Sequence, residues 1–376
     1  MKHMRNLISV LLSIALLTMS CQREQTYTLE INDGTRIVHN LKPKIDNPRS
    51  SLEFVLQIGE LEPEDENYMF DQPTSVTEDH MGNTFVLDPE EGCIKKFSSS
   101  GDYLTRFGRK GQGPGEFQYP MQIDCRSGQI LVSSGAAQFY IFDLKGEYIK
   151  KFGLSQYEGL YMKLMDFDKV VGFSMGPRHN NSKEDKILKI YDTEGNTEHV
   201  FGEPFLVDNS KSSWIANFTD IAVDNDNNIY LAFAHQNRIE KYSDSGELLL
   251  KISRELPFGL EYKYGKRKIE IQGVVREVDM EQFSLVSGGI GVDSEGRIWV
   301  LGYKAEVPRD QGGEGFVIQE YLHFEVFSKE GVLLARLPIP DGIKRFDNMT
   351  MDRDHIYLVD PLEQACVYKY KVIWRD

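Results

Sequence analysis

The chain has 376 residues, 58 of them acidic against 43 lysines and arginines, for a formal charge of −15. So acidic a surface argues against nucleic acid or anionic lipid as a partner for the folded part. Its four cysteines show no CxxC or other metal-like spacing, which excludes a disulfide framework as the scaffold.

The first residues, Met1 to Arg5, are basic, and Asn6 to Met19 is mostly apolar and uncharged. That is the pattern of a signal peptide, too short for a comfortable membrane-spanning helix. It ends Leu17-Thr-Met-Ser20-Cys21, which resembles a bacterial lipobox, with Thr18 and Met19 where Leu and Ala or Ser are usual. The resemblance implies that residues 1–20 are removed and that Cys21 carries lipid. The mature chain is then expected in the cell envelope, on a membrane surface without spanning it. Gln22 rather than Asp after that cysteine favours the outer membrane, periplasmic or surface-facing.

Residues 21–50 read as the lipidated cysteine, a tether and a hairpin. Tyr27 to Val38 turns at Asn32-Asp-Gly34, and Lys42-Pro-Lys-Ile-Asp-Asn-Pro-Arg49 has the proline spacing of a linker.

From residue 51 to 376 one unit recurs: an apolar stretch, a turn, a second apolar stretch, an aromatic, then a polar turn ending in Gly. The copies end at Gly101, Gly146, Gly195, Gly246 and Gly331, in steps of 45, 49, 51 and 85 residues. Such periods built of short strands predict a β-propeller of four-stranded blades. Blade one takes strands a to d near Ser75–Thr77, Thr84–Leu87, Cys93–Phe97 and Tyr103–Phe107. Blade two takes Met121–Asp124, Gln129–Ser133, Phe139–Phe142 and Tyr148–Phe152. Blade three covers about Tyr161–Phe201, blade four Thr219–Ile252 and blade five Ser287–Leu337, with Ser253–Phe283 as an extra segment. The last repeat has strands at Phe346–Met351, His355–Val359 and Ala365–Tyr370 but no fourth. Ser51 to Gly59 reads as a fourth strand without its first three. Pairing them closes the ring at six blades, all-β, with the N-terminal strand completing the last.

Three smaller readings follow. Asp79, Asp124, Asp224, Asp293 and Asp352 each follow strand a and are expected as turn residues accepting backbone N–H groups, not as metal ligands. Cys93, Cys125 and Cys366 are expected to face the core, with one disulfide among them compatible with export. The basic run Lys263-Tyr-Gly-Lys-Arg-Lys268 reads as a solvated loop or helix face.

Gly111-Gln-Gly-Pro-Gly-Glu-Phe117-Gln-Tyr-Pro120 and the stretch from Asp224 to Gly246 resemble NHL-type repeats, with Ala234 in place of the usual Asp. The glycine-rich loop is not a phosphate loop, because Pro114 and a strand follow instead of Lys-Ser/Thr and a helix; Phe117 is expected to plug the groove between blades. Together with the lipobox and the N-terminal strand, these motifs resemble the six-bladed propeller lipoproteins common in Bacteroides-like bacteria. That resemblance covers residues 51–374 and implies a fold rather than an activity.

In a propeller the d–a and b–c loops converge on one face, the expected binding face. Here they include Gly176–Asp185, Gly202–Asn217, Ser253–Phe283 and Tyr303–Gln319. They carry Arg178, His179, Trp214, Tyr262, Tyr303 and Arg309, the candidate ligand-binding residues. Aromatics and arginines suit a carbohydrate, a peptide or an envelope protein. The resulting expectation is a lipid-anchored binding protein without cofactor, metal or catalysis. The alternative is a metal-dependent enzyme like the six-bladed peptidyl-hydroxyglycine lyases or lactonases. Against it, His80 and His355 fall on the face opposite His179 and His235, and Asn217, Asn237 and Asp220 form no motif.

Overall fold

The structure is a computed structural model, and it describes residues 24–135, 137–155, 158–166, 169–174, 186–206, 213–271, 274–307, 318–343 and 345–375. Three strands come first: β1 (Tyr27–Asn32), β2 (Thr35–Asn40) and β3 (Ser51–Ile58). Blade one is β4 to β7, at Ser75–Glu78, Thr84–Asp88, Cys93–Phe97 and Tyr103–Phe107. Blade two is β8 to β11, at Pro120–Arg126, Gln129–Ser134, Gln138–Asp143 and Tyr148–Gly153. Blade three is β12 to β15, at Glu158–Asp166, Lys169–Ser174, Leu188–Asp192 and Thr197–Phe201. A short helix, α1 (Ser213–Ala216), leads into blade four, β16 to β19, at Thr219–Val223, Ile229–Phe233, Ile239–Tyr242 and Leu248–Arg254. β20 (Tyr262–Ile271) and β21 (Val274–Phe283) pair only with each other. Blade five is β22 to β25, at Ser287–Val292, Ile298–Tyr303, Leu322–Phe327 and Leu333–Pro338. In blade six, β26 (Asn348–Asp352), β27 (His355–Asp360) and β28 (Cys366–Ile373) share a sheet with β3. β3 lies antiparallel to β28, with Phe54 opposite Tyr370 and Ile58 opposite Val367.

The innermost strands touch in the order β4, β8, β12, β16, β22, β26 and back to β4, so the six sheets form a ring. The apolar core is divided into compartments between neighbouring blades. Phe85, Phe117 and Phe142 fill the one between blades one and two; Trp299, Phe324, Ile356 and Leu358 fill the one between five and six. Every residue of β5, β17 and β23 is buried, because a second strand is covered on both faces. Such strands read as unbroken apolar runs rather than alternating ones.

The recurrent turn has a local cause. Asp143 Oδ1 accepts the N–H groups of Lys145 and Glu147 at 2.9 and 2.8 Å, Asp192, Ser98 and Ser328 do the same in their turns, and Ser243 accepts the Glu247 N–H. The Gly that ends each turn is left-handed, and it also lies against the preceding blade. A Cβ on Gly146 (φ 87°) would stand 2.4 Å from the Phe107 ring, and one on Gly246 2.8 Å from Phe201. The repeat signature is thus the mark of a blade-to-blade contact as well as of a turn.

The N-terminal segment is not a free tether. β2 runs parallel to β19 with Val38 fully buried, so blade four carries β2 and β1 as extra outer strands. Buried Asn40 then ties blade four to blade five: its side chain donates to the carbonyls of Ser253 and Gly331 and accepts Leu333 N–H at 2.7 Å. The basic run also differs from expectation, since Lys263 to Lys268 lies within β20 as one edge of a β-ribbon. Cys93 and Cys366 are buried, but Cys125 is only half-buried, and none of the three is in a disulfide.

Candidate functional site

A cavity of about 690 Å³ runs along the ring axis, walled by the first strand of each blade. Its lining continues into the turns after those strands, at Asp79, Ser127, Asp224, Asp293 and Arg353, so it opens at the end of the ring that carries the a–b turns. This is opposite the loop end that sequence reasoning favoured.

Asp79, Asp224 and Asp293 are turn residues as expected, each accepting N–H groups two and four residues on at 2.9 to 3.0 Å. Asp124 and Asp352 are not. Both lie inside their strands and bond to the neighbouring blade. Asp124 accepts Lys163 Nζ at 2.9 Å and Leu164 N–H at 2.8 Å, joining blades two and three. Among the described residues Asp352 accepts the Glu78 N–H alone, at 3.3 Å, with Arg353 Nε 3.6 Å away. Burial pushes the Asp352 carboxyl up to about 7, aided by the charge of Glu78 and opposed by Arg353.

Glu78 itself stays ionised. Burial alone would raise it, but His355, Lys369 and Tyr357 outweigh that and hold it at about 2. Lys369 Nζ lies 2.8 Å from Oε2, and Arg353 Nη2 lies 2.6 Å from Oε1. The cluster bridges blade six and blade one.

Asp220, on β16, is the other unusual carboxyl. Burial lifts it to about 6, Lys163 is the one charge among the described residues that opposes this, and none of those residues gives it a stabilising hydrogen bond. Gln122 Oε1, also on the wall, is buried with no hydrogen-bond partner. The channel therefore offers acceptors in excess of donors: Asp220, Asp352 and Gln122 are underused, while Lys163 is held by Asp124. At the mouth Arg126 reaches from blade two past blade three, donating to the carbonyl of Asp224 at 2.6 Å and to Asn227 Oδ1 at 3.3 Å.

Of the loop-end candidates, Tyr262 and Tyr303 are the two whose side chains the structure describes. Cys21, Arg178, His179 and Arg309 lie outside the described residues. Trp214 lies on α1, with its side chain outside the description. Tyr262 is at the base of the ribbon, its ring tilted against that of Phe283 with centroids 5.0 Å apart. Tyr303 ends β23, is 8% exposed and packs in the compartment between blades five and six. Burial, with a contribution from the charge of Asp220, raises its phenol to about 12. Neither Tyr262 nor Tyr303 lines the channel.

Among the described residues no three His, Cys, Asp or Glu side chains are placed to hold a metal ion. Asn217 and Asn237, weighed for a lactonase-like set, close loops instead. Asn217 Oδ1 accepts the Phe205 N–H at 2.7 Å, and Asn237 Nδ2 donates to the Arg254 carbonyl at 2.6 Å. His235 Nδ1 faces the Ser284 carbonyl at 3.1 Å. Sequence reasoning passed over Gln122 and Arg126, weighed Asp220 only within a lactonase-like set and read Asp352 only as a turn residue, because their surroundings depend on residues one or more blades away.

A six-bladed ring with a polar axial cavity is the class that fold and site define. The chain belongs to the DUF5128 family of six-bladed β-propellers, whose sequence pattern matches residues 60–264. It is similar in structure to a member of the DUF4221 family from Bacteroides vulgatus, with 9% identity and a TM-score of 0.58 over 87% of this chain and 99% of that one. It is also similar to a putative exported protein from Bacteroides fragilis, with 10% identity and a TM-score of 0.55 over 90% and 100%. Virginiamycin B lyase from Staphylococcus aureus aligns at 12% identity and a TM-score of 0.47 over 86% and 100%. No curated protein matches the chain in sequence.

Proposed function

We propose that this propeller is a non-catalytic binding protein of the cell envelope, lipid-anchored through Cys21, that takes a small ligand into its axial channel. The ligand is rich in hydrogen-bond donors and carries an amine or guanidinium, as an amino sugar or a basic peptide does. One observation carries the reading: among the described residues the channel wall holds more acceptors than donors to satisfy them, foremost the Asp220 carboxyl, whose one opposing influence is the charge of Lys163, and also Gln122 Oε1. Asp220 is half-buried on the channel wall, where desolvation disfavours its charged form, and a bound cation restores that form. Such a ligand also donates to Gln122 and Asp352 without displacing the Asp124–Lys163 pair. The anchoring part of the proposal rests on the Leu17 to Cys21 motif.

The test is a thermal-shift screen of neutral sugars, amino sugars and short Lys- or Arg-containing peptides against wild type and Asp220→Asn. An amine-bearing compound is expected to raise the wild-type melting temperature and to leave the variant unmoved. If only neutral or acidic compounds stabilise the protein, or both forms respond alike, the proposed ligand class is wrong.

A further inference from the structure

We infer that the loop end of the propeller lies against the bilayer holding the anchor, so that the channel mouth, at the turn end, faces away from the membrane. The inference rests on the reading of Cys21 as lipidated, and two observations lead to it.

The first is the path of the chain. Tyr27 lies opposite Asn40, and Asn40 is in register with Arg254, the last residue of β19 at the loop end. β1 therefore runs from the loop end down to Asn32, and the anchor segment leaves upward from Tyr27. Tyr27 is six positions after Cys21, a reach of about 20 Å when fully extended. β1 itself spans about 20 Å. An anchor folded back along the blade would spend its whole reach returning to the level of Asn32.

The second is where apolar surface is left uncovered. Leu61, Tyr119, Phe205, Leu260 and Leu362 are 54, 73, 48, 51 and 53% exposed, and all stand on loop-end connections. Val275, 61% exposed, is on the ribbon that springs from the same end. On the turn-end connections, Met81 is the one large apolar side chain exposed among the described residues. Other large apolar side chains are exposed on the outer strands, among them Ile31, Phe54, Leu104, Ile149 and Val200, but on the connections between strands the grouping is at the loop end, and such a grouping marks a surface that is covered in use. A bilayer interface takes aliphatic side chains and tyrosines without needing matched shape. The charge of −15 opposes anionic headgroups, so the surface that fits is zwitterionic.

Hydroxyl-radical footprinting tests this. The lipidated full chain on phosphatidylcholine vesicles is compared with full-length Cys21→Ser free in solution. Oxidation of Leu61, Tyr119 and Leu260 is expected to fall several-fold on vesicles while Met81 reacts at the same rate in both samples. Equal reactivity at both ends on vesicles, or protection of Met81, overturns the orientation. Protection of the loop end in the Cys21→Ser protein as its concentration rises also overturns it, assigning that face to a second copy. Intact mass distinguishes the two readings: a mature chain without acyl groups removes the anchor itself, whereas an acylated chain with an unprotected loop end removes only the orientation.

Discussion

Arg126 of blade two donates to the carbonyl oxygen of Asp224 in blade four at 2.6 Å, spanning the channel mouth past blade three. Its guanidinium also reaches the Val223 carbonyl at 3.4 Å, so one side chain ties two non-adjacent turns. Arg126→Ala removes this strap. Hydrogen bonds from a charged donor are worth about 1.5–3 kcal/mol each at most, and this residue is half-buried, so a loss of about 1–2 kcal/mol in unfolding free energy is expected. Because the mouth also widens, stopped-flow measurement should show ligand entering and leaving faster than in wild type. Unchanged rates would show that the ligand does not pass this end.

The channel carboxyls give the stability an unusual dependence on pH. Asp220 and Asp352 titrate higher in the folded chain, at about 6 and about 7, than an ordinary Asp. The folded state then binds more protons, so stability falls as pH rises from about 4 to 7. Glu78 has the opposite sign: held at about 2, it contributes stability above its ordinary value near 4.5 that is lost as pH falls towards 2. The melting temperature of the ligand-free protein should therefore peak near pH 4 and decline from there towards pH 7. In Asp220→Asn the decline on the alkaline side should shrink, which calorimetry across pH 4 to 8 reads directly.

The glycines of the repeat are not equivalent. At Gly146 an alanine meets both a left-handed φ and the Phe107 ring at 2.4 Å, whereas at Gly101 the nearest atom, of Leu56, is 3.5 Å away. Gly101→Ala should cost about 1 kcal/mol, the price of the dihedral alone. Gly146→Ala should cost about 2–4 kcal/mol because the blade contact is also forced apart. Urea denaturation of the two variants checks the difference.

Blades four and five are joined by a fully buried ion pair, Arg254 Nε to Glu325 Oε2 at 2.6 Å. Burial alone would raise the Glu325 carboxyl, but Arg254, His323 and Arg336 hold it well below the usual carboxylate range. Glu325→Ala leaves Arg254 buried and unpaired and should cost about 3–5 kcal/mol. Replacing both partners by apolar residues of similar volume should restore much of that loss, as a denaturation series on the single and double variants would show.

The six blades are legible in the sequence because their signal is local. Asp143, Lys145, Gly146 and Glu147 make one turn within five residues, and its repetition marks the period. The channel is not legible in that way. Asp352 looks like Asp79 in sequence, yet one accepts a neighbouring blade's N–H and the other closes its own turn. Asp220 stands in a strand with no motif around it, and its significance comes from a wall assembled by six separate segments. The loop end drew attention through its length and aromatics, but length does not say which end of a channel is open. Likewise Asn32-Asp-Gly34 announces a hairpin without saying that Val38 will be buried against blade five across β19.

The account stands or falls on whether Asp220 meets a cation in the channel. Isothermal titration of an amine-bearing compound from the screen, at pH 8 and pH 5, into wild type and Asp220→Asn, tests that most directly. The expected result is tighter binding at pH 8, where the carboxyl is ionised, proton release on binding at pH 5, and loss of binding in the variant. Equal affinity of both proteins at both pH values would contradict it.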